Sequence, residues 1–195
     1  MEPEITNVSA EKIKKKDKKK DKQSKSVETM FRTTLSNLIQ LSKMADDKAG
    51  ILVSVNSIIL SIMTAFMARE IPKIPYLMLP TCFLVVVCLL TITFALLATR
   101  PLLKSHSEKL NAGETEKIDL LFFSEFTLLS LDEYQIAMEE MMEKNKKMQK
   151  GLIKNIYAQG KAMQRKYRLI KIAYTIFMIG FPLAIFCFLF TIYFV

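Results

Sequence analysis

AGILVSVNSIILSIMTAFMA, residues 49–68, is an uninterrupted apolar run without a single charge. At 1.5 Å per residue, a helix of that length crosses a hydrocarbon layer of about 30 Å. Residues 74–99 and 172–195 have the same character, and the Lys, Arg, Asp and Glu residues lie before or between the three blocks. An average of 51% hydrophobic and 24% charged residues reads as globular, but the segregation does not. It predicts an all-α membrane protein with three transmembrane helices, the helix being the element that satisfies its own backbone in lipid. The first apolar run starts at residue 49, far beyond the reach of a secretory signal, so all three spans are expected to remain in the chain.

The net charge of +9 is placed as membrane topology requires, which argues against nucleic acid as its partner. Of the 28 Lys and Arg residues, twelve precede the first block, two lie between the first and second, fourteen between the second and third, and none after the third. By the positive-inside rule the amino terminus and residues 100–171 are cytoplasmic, while the 69–73 loop and the carboxyl terminus face outward. Residues 1–26, with the run EKIKKKDKKKDKQSKS over 11–26, have little to bury and are predicted to be a disordered basic tail. Near anionic lipid each of its lysines is worth about 1 kcal/mol, so membrane lipids are its expected contact.

Between tail and membrane, Met30, Phe31, Leu35, Leu38, Ile39 and Leu41 recur at helical spacing, which makes 27–46 an amphipathic cytoplasmic helix. In the first span Gly50, Ser54, Ser57, Ser61, Thr64 and Ala68 follow at steps of three or four, a small-residue stripe that lets helices approach closely. Asn56 lies off that stripe and needs a partner in the bundle or in an oligomer, either as a structural hydrogen bond or as part of a polar path. Ser54, Asn56, Ser57 and Ser61 are therefore the candidates for membrane packing or gating.

The 100–171 segment reads as a polar linker through Glu116, an apolar patch at Leu120, Leu121, Phe122 and Phe123, and then helix. Ser130 and Glu133 have capping-box spacing. Beyond them Leu131, Tyr134, Met138, Met141, Met148, Leu152 and Ile156 alternate three- and four-residue steps, with Asn145 as a polar break in the seam, so a coiled-coil-like cytoplasmic module is expected. Gly151 and Gly160 weaken that helix and mark the expected places for a break. Lys161, Arg165 and Arg168 share a helix face and are joined by Lys166 and Lys171. They serve either as the charge flank of the third span or as a phosphate grip, since guanidinium groups hold phosphate oxygens in pairs. Phe122 and Phe123 are either core or a stacking surface for a base.

Enzymatic chemistry finds no foothold. Cys82, Cys88 and Cys187 fall inside the apolar blocks and His106 is the lone histidine, so neither a disulfide nor a metal site is expected. There is no glycine-rich phosphate loop and no nucleophile with a paired base, and Asp46 and Asp47 point to different helix faces.

MADDKAGILVSVNSIILSI (44–62), ATRP (98–101), DLLFFSEF (119–126), SLDEY (130–134) and KYRLIKIAYTIFMIG (166–180) stand in an order that resembles the bacterial Pycsar transmembrane effector family over about residues 30–190. The chain departs from the family's pattern in having Asp119 and Ser124 around the LLFF patch, where Asn and Gly would be expected. The resemblance implies an anti-phage effector of the bacterial inner membrane, with no cofactor. Its ligand would be cyclic CMP or cyclic UMP, made by a partner cyclase. Membrane impairment and abortive infection would follow. On that reading Lys161, Arg165, Lys166, Arg168, Phe122 and Phe123 are the ligand-binding candidates, and the protein is expected to form homo-oligomers. The competing reading is a membrane-anchored scaffold that recruits a partner through the coiled coil.

Overall fold

The computed structural model describes residues 3–70, 74–100, 118–143 and 145–194, without the side chains of 3–21, 23, 24, 70 and 145. His106, Pro101, the linker before Lys117 and part of the 69–73 loop lie outside the described residues, as does the side chain of Asn145. The described elements are all helical: α1 (Pro3–Glu70), a single 3-10 turn (Pro75–Leu77), α2 (Met78–Thr99), α3 (Phe123–Phe126), α4 (Leu131–Glu143) and α5 (Asn145–Phe194). Segments within α1 and α5, together with Pro75–Thr99, are long and apolar enough to cross a membrane.

Residues 1–39 form one compact unit and 40–195 another. In the first unit α1 begins at Pro3, so the lysine-rich run expected to be disordered is helical. Lysine and glutamate are good helix formers, and no glycine or proline follows Pro3 until Gly50. Thr29 and Thr34 return their hydroxyls to the carbonyls of Lys25 and Met30 within the same helix.

The second unit is a three-helix bundle held by small side chains. At the end nearer the charged segments, Ala45, Ala49 and Leu52 of α1 meet Ala95 and Ala98 of α2 and Ile170 and Ala173 of α5. At the other end Leu84 and Cys88 of α2 pack on Ala184 of α5, with Ile59, Leu60 and Met63 of α1 around them. Lipid tails are as apolar as these side chains, so close van der Waals contact rather than water exclusion holds the helices together. Between the two clusters, Gly180 of α5 faces Val87 of α2 so closely that a Cβ on it would lie 2.7 Å from both valine methyls.

The small-residue stripe of the first span does not make this contact. Gly50, Ser54, Ser57, Ser61, Thr64 and Ala68 are all exposed, on the side of α1 turned away from α2 and α5. The hydroxyls of Ser61 and Thr64 bond to carbonyls one turn back, of Ser57 and Leu60. Alanines form the internal interface instead.

Outside the bundle the chain reverses. Met141 Sδ would lie 3.1 Å from a Cβ on Gly151, yet ten residues of continuous helix would hold the two about 15 Å apart. Helix α4 therefore folds back on α5, and the expected heptad seam is divided between two elements. No break occurs at either glycine: α5 runs through both Gly151 and Gly160. Gly151 instead leaves room for the methionine of the returning helix.

The capping box at the start of α4 is formed. Glu133 Oε2 accepts from the Ser130 backbone N–H at 2.9 Å and from its hydroxyl at 2.8 Å, while Ser130 Oγ accepts the Glu133 N–H at 3.3 Å. These bonds from Ser130 hold the Glu133 carboxyl below its ordinary pKa. The stability they supply is present above the usual glutamate range and fades as pH falls through the lowered value. A Ser130→Ala change is expected to cost α4 about 1 kcal/mol at neutral pH, seen as lost helical ellipticity on warming.

Candidate functional site

Polar groups that are buried without full hydrogen bonding mark where a helical membrane protein has left something undone. Four such side-chain atoms occur among the described residues: Asn56 Oδ1 in the membrane, and Asp119 Oδ2, Ser124 Oγ and Asn155 Nδ2 outside it.

Asn56 is fully buried. It lies along α1 between the two packing clusters, as the fully buried Thr91 does along α2. Its Nδ2 donates to the Leu52 carbonyl of its own helix at 2.8 Å, and Thr91 likewise donates to the Val87 carbonyl. The partner sought for Asn56 in the bundle is thus its own backbone, with one amide oxygen left over.

The other three orphan atoms belong to the polar module. Asp119 is tied into a tight turn: its Oδ1 accepts from the Leu121 N–H at 3.1 Å, and its own N–H donates to Glu125 Oε2 at 2.9 Å. Backbone bonds from Phe122 N–H to the Asp119 carbonyl and from Glu125 N–H to the Phe122 carbonyl close the turn into α3. Asp119, Ser124 and Glu125 are buried there, and Asn155 of α5 is buried with them. Desolvation raises the Asp119 pKa, opposed by the Leu121 N–H and by the positive charge of Lys154, with Asn155 also favouring the carboxylate. Lys154 and Asn155 therefore bring α5 against the turn.

The ligand candidates read from the sequence do not converge on one place. Phe122 is half-buried in the turn and Phe123 is 65% exposed beside it. Leu121 of the same turn comes within 4.0 Å of a Cβ on Gly151. Arg165 and Arg168 sit 14 and 17 residues further along α5, about 20 to 25 Å from that level. Both arginines are exposed and form no ion pair among the described residues. Lys161 lies over the Tyr157 ring at 5.7 Å. Lys166 is engaged: its Nζ is 2.6 Å from Asp46 Oδ1 and 3.1 Å from Ser42 Oγ, and its neighbour Tyr167 donates to the Leu41 carbonyl. These contacts tie α5 to the stretch of α1 that enters the membrane.

Asp119, Glu125 and Asn155 were missed as candidates. Asp119 and Asn155 are 36 residues apart, and only the reversal of α4 brings them together. The legible signal was an amide placed between Leu152 and Ile156 of the apolar seam.

Among the described residues no group of His, Cys, Asp or Glu is disposed to hold a metal ion. The fold and these polar groups define a three-span membrane protein whose helical polar module is joined to the spans at one end of the bundle. A family model for the Pycsar effector protein domain matches residues 29–194, and the chain belongs to that family of transmembrane effectors. No curated protein and no solved structure matches it.

Proposed function

We propose that this chain is the membrane-damaging arm of an anti-phage Pycsar system. A partner cyclase makes cyclic CMP or cyclic UMP after infection, the cytoplasmic module binds it, and the spans repack to impair the bacterial inner membrane, ending in abortive infection. The family match over residues 29–194 carries this reading. The fold supports it physically, because α5 runs from the polar module into the third span without a joint, and the Lys166–Asp46 pair links it to the first. A ligand that favours one arrangement of the module then biases the bundle as well.

In this account the outward stripe of Ser54, Ser57 and Ser61 is where a second copy packs, since it meets no helix of its own chain. The amino terminus and the 100–171 segment face the cytoplasm, where the nucleotide is made. Arg165 and Arg168 supply positive charge for the cyclic phosphate, whereas Phe122 and Phe123 lie too far along α5 to stack on the base of the same nucleotide.

The test is direct. The purified protein in detergent binds a cyclic pyrimidine mononucleotide, and cells that hold both protein and active cyclase lose membrane potential; an unchanged potential overturns the reading. With Arg165 and Arg168 both replaced by Ala, affinity is expected to fall about tenfold or more while insertion is kept, as befits charge-assisted phosphate contacts. Unaltered affinity would make them the charge flank of the third span.

A further inference from the structure

Outside the spans, the two helices of the hairpin carry opposite charge. Helix α4 holds Asp132, Glu133, Glu139, Glu140 and Glu143 and no Lys or Arg, whereas residues 145–171 of α5 hold nine Lys and Arg and no acid. Little of this charge is used between the two helices of one chain. Lys147 reaches Glu140 at 2.8 Å and Glu133 is committed to the cap of α4, but the inward faces bring together the buried Met141 and Gly151. Asp132, Ile136, Glu139 and Glu143 lie on one arc of α4, at steps of four, three and four residues. Lys161, Tyr157, Lys154 and Lys150 lie on one arc of α5, at the same steps taken backwards. All eight are exposed, Ile136 by 68% and Tyr157 by 66%. Each arc thus presents one large apolar side chain framed by charges of a single sign.

The two arcs also match in height. Copies inserted the same way in one membrane are related by rotation about its normal, which leaves the height of every residue unchanged. Helix α4 runs back along α5 with Met141 beside Gly151, so Glu143, Glu139, Ile136 and Asp132 stand about level with residues 149, 153, 156 and 160 of α5. That is within about one residue of Lys150, Lys154, Tyr157 and Lys161. In one chain the arcs face away from the hairpin's own contact; between neighbours they can meet.

We infer that a second copy of this chain docks here, with the acidic arc of α4 along the basic arc of the neighbour's α5. Ile136 packs on Tyr157, and Asp132 with Lys161, Glu139 with Lys154 and Glu143 with Lys150 surround that contact. Exposed ion pairs contribute only about 0–1 kcal/mol each, so they set the register while the apolar centre supplies the hold. Lipid is the poorer occupant of the basic arc: Lys150 lies about 33 Å before Ile172 along an unbroken helix, several times the Debye length of about 8 Å in physiological salt. The contact joins unlike faces, so it closes into a ring or runs on as an array. Because α5 continues without a joint into the third span, docking also holds neighbouring spans side by side. The inference is independent of nucleotide recognition, and its failure leaves the ligand reading untouched.

The experiment co-expresses two full-length copies with different tags, one carrying Ile136→Cys and the other Tyr157→Cys, and oxidises the membranes mildly. A disulfide-linked product bearing both tags is expected, well above that from copies holding only the native Cys82, Cys88 and Cys187. Adding Asp132→Lys and Glu143→Lys to the first copy should lower the product at least tenfold. Adding Lys150→Glu and Lys161→Glu to the second copy as well should restore it, a recovery that misfolding of either variant does not give. Absence of the two-tag product overturns the interface. So does a product indifferent to the reversed charges, or one that the second reversal fails to restore; either result leaves the basic arc to another partner.

Discussion

A Gly180→Ala chain is expected to lose about 1–3 kcal/mol of bundle stability, the cost of forcing a methyl into a filled interface. The added carbon would sit 2.7 Å from both Val87 methyls and 3.3 Å from its Cβ. Valine has no flexible end to swing aside, because its methyls are attached to the same Cβ that is already too near. Val87 is itself buried, so α2 and α5 would have to separate. Thermal unfolding in detergent measures the loss, and the Val87→Ala background identifies its cause. There the alanine at position 180 has space, and the double variant should be less destabilised than the two single changes added together. Additive effects would mean that the helices approach one another differently. Gly160→Ala is the control, since nothing lies within 4 Å of a Cβ at that position.

Asn56→Leu should have the opposite effect on stability and the larger effect on function. Leucine of similar size removes the orphan amide oxygen, so the bundle should resist unfolding better by roughly 1–3 kcal/mol. If repacking of the spans damages the membrane, the resting bundle must be able to change, and a polar group that is poorly satisfied at rest lowers the cost of leaving that state. The variant is thus expected to insert and to bind nucleotide normally, yet to leave the membrane potential intact when the cyclase is active. Depolarisation at the unaltered level would make Asn56 a packing residue without a part in the output.

Which parts of this molecule could be read from its sequence depends on how far apart the cooperating residues lie. The spans were legible because lipid imposes its length and polarity on each segment alone, and residues 49–68, 74–99 and 172–194 are helical throughout apart from the turn at the start of the second. The capping box was legible for the same local reason. Which face of α1 looks inward was not: serine and glycine at steps of three and four suggested an interface, but Ala45, Ala49 and Leu52 make it with α2 and α5. Alanine looks like any other apolar residue in a span, and its small size counts only once a partner helix is in place. The reversal between α4 and α5 was hidden because the heptad steps continue from one helix into the other. Without that reversal the pairing of Asp119 with Asn155 had no reason to be suspected.

The unbroken course of α5 makes chain length itself a source of specificity. Asn155 and Ala173, eighteen residues apart, fall five full turns from one another, so the face that touches the turn at Asp119 is the face that packs in the bundle at Ala173. One residue added or removed between them would rotate these two faces by about 100°, leaving every side chain present and every local preference intact. Apart from Tyr157 and Lys161, sequence on the solvent side of this stretch can therefore drift freely, whereas its number of residues is held to the period of the helix.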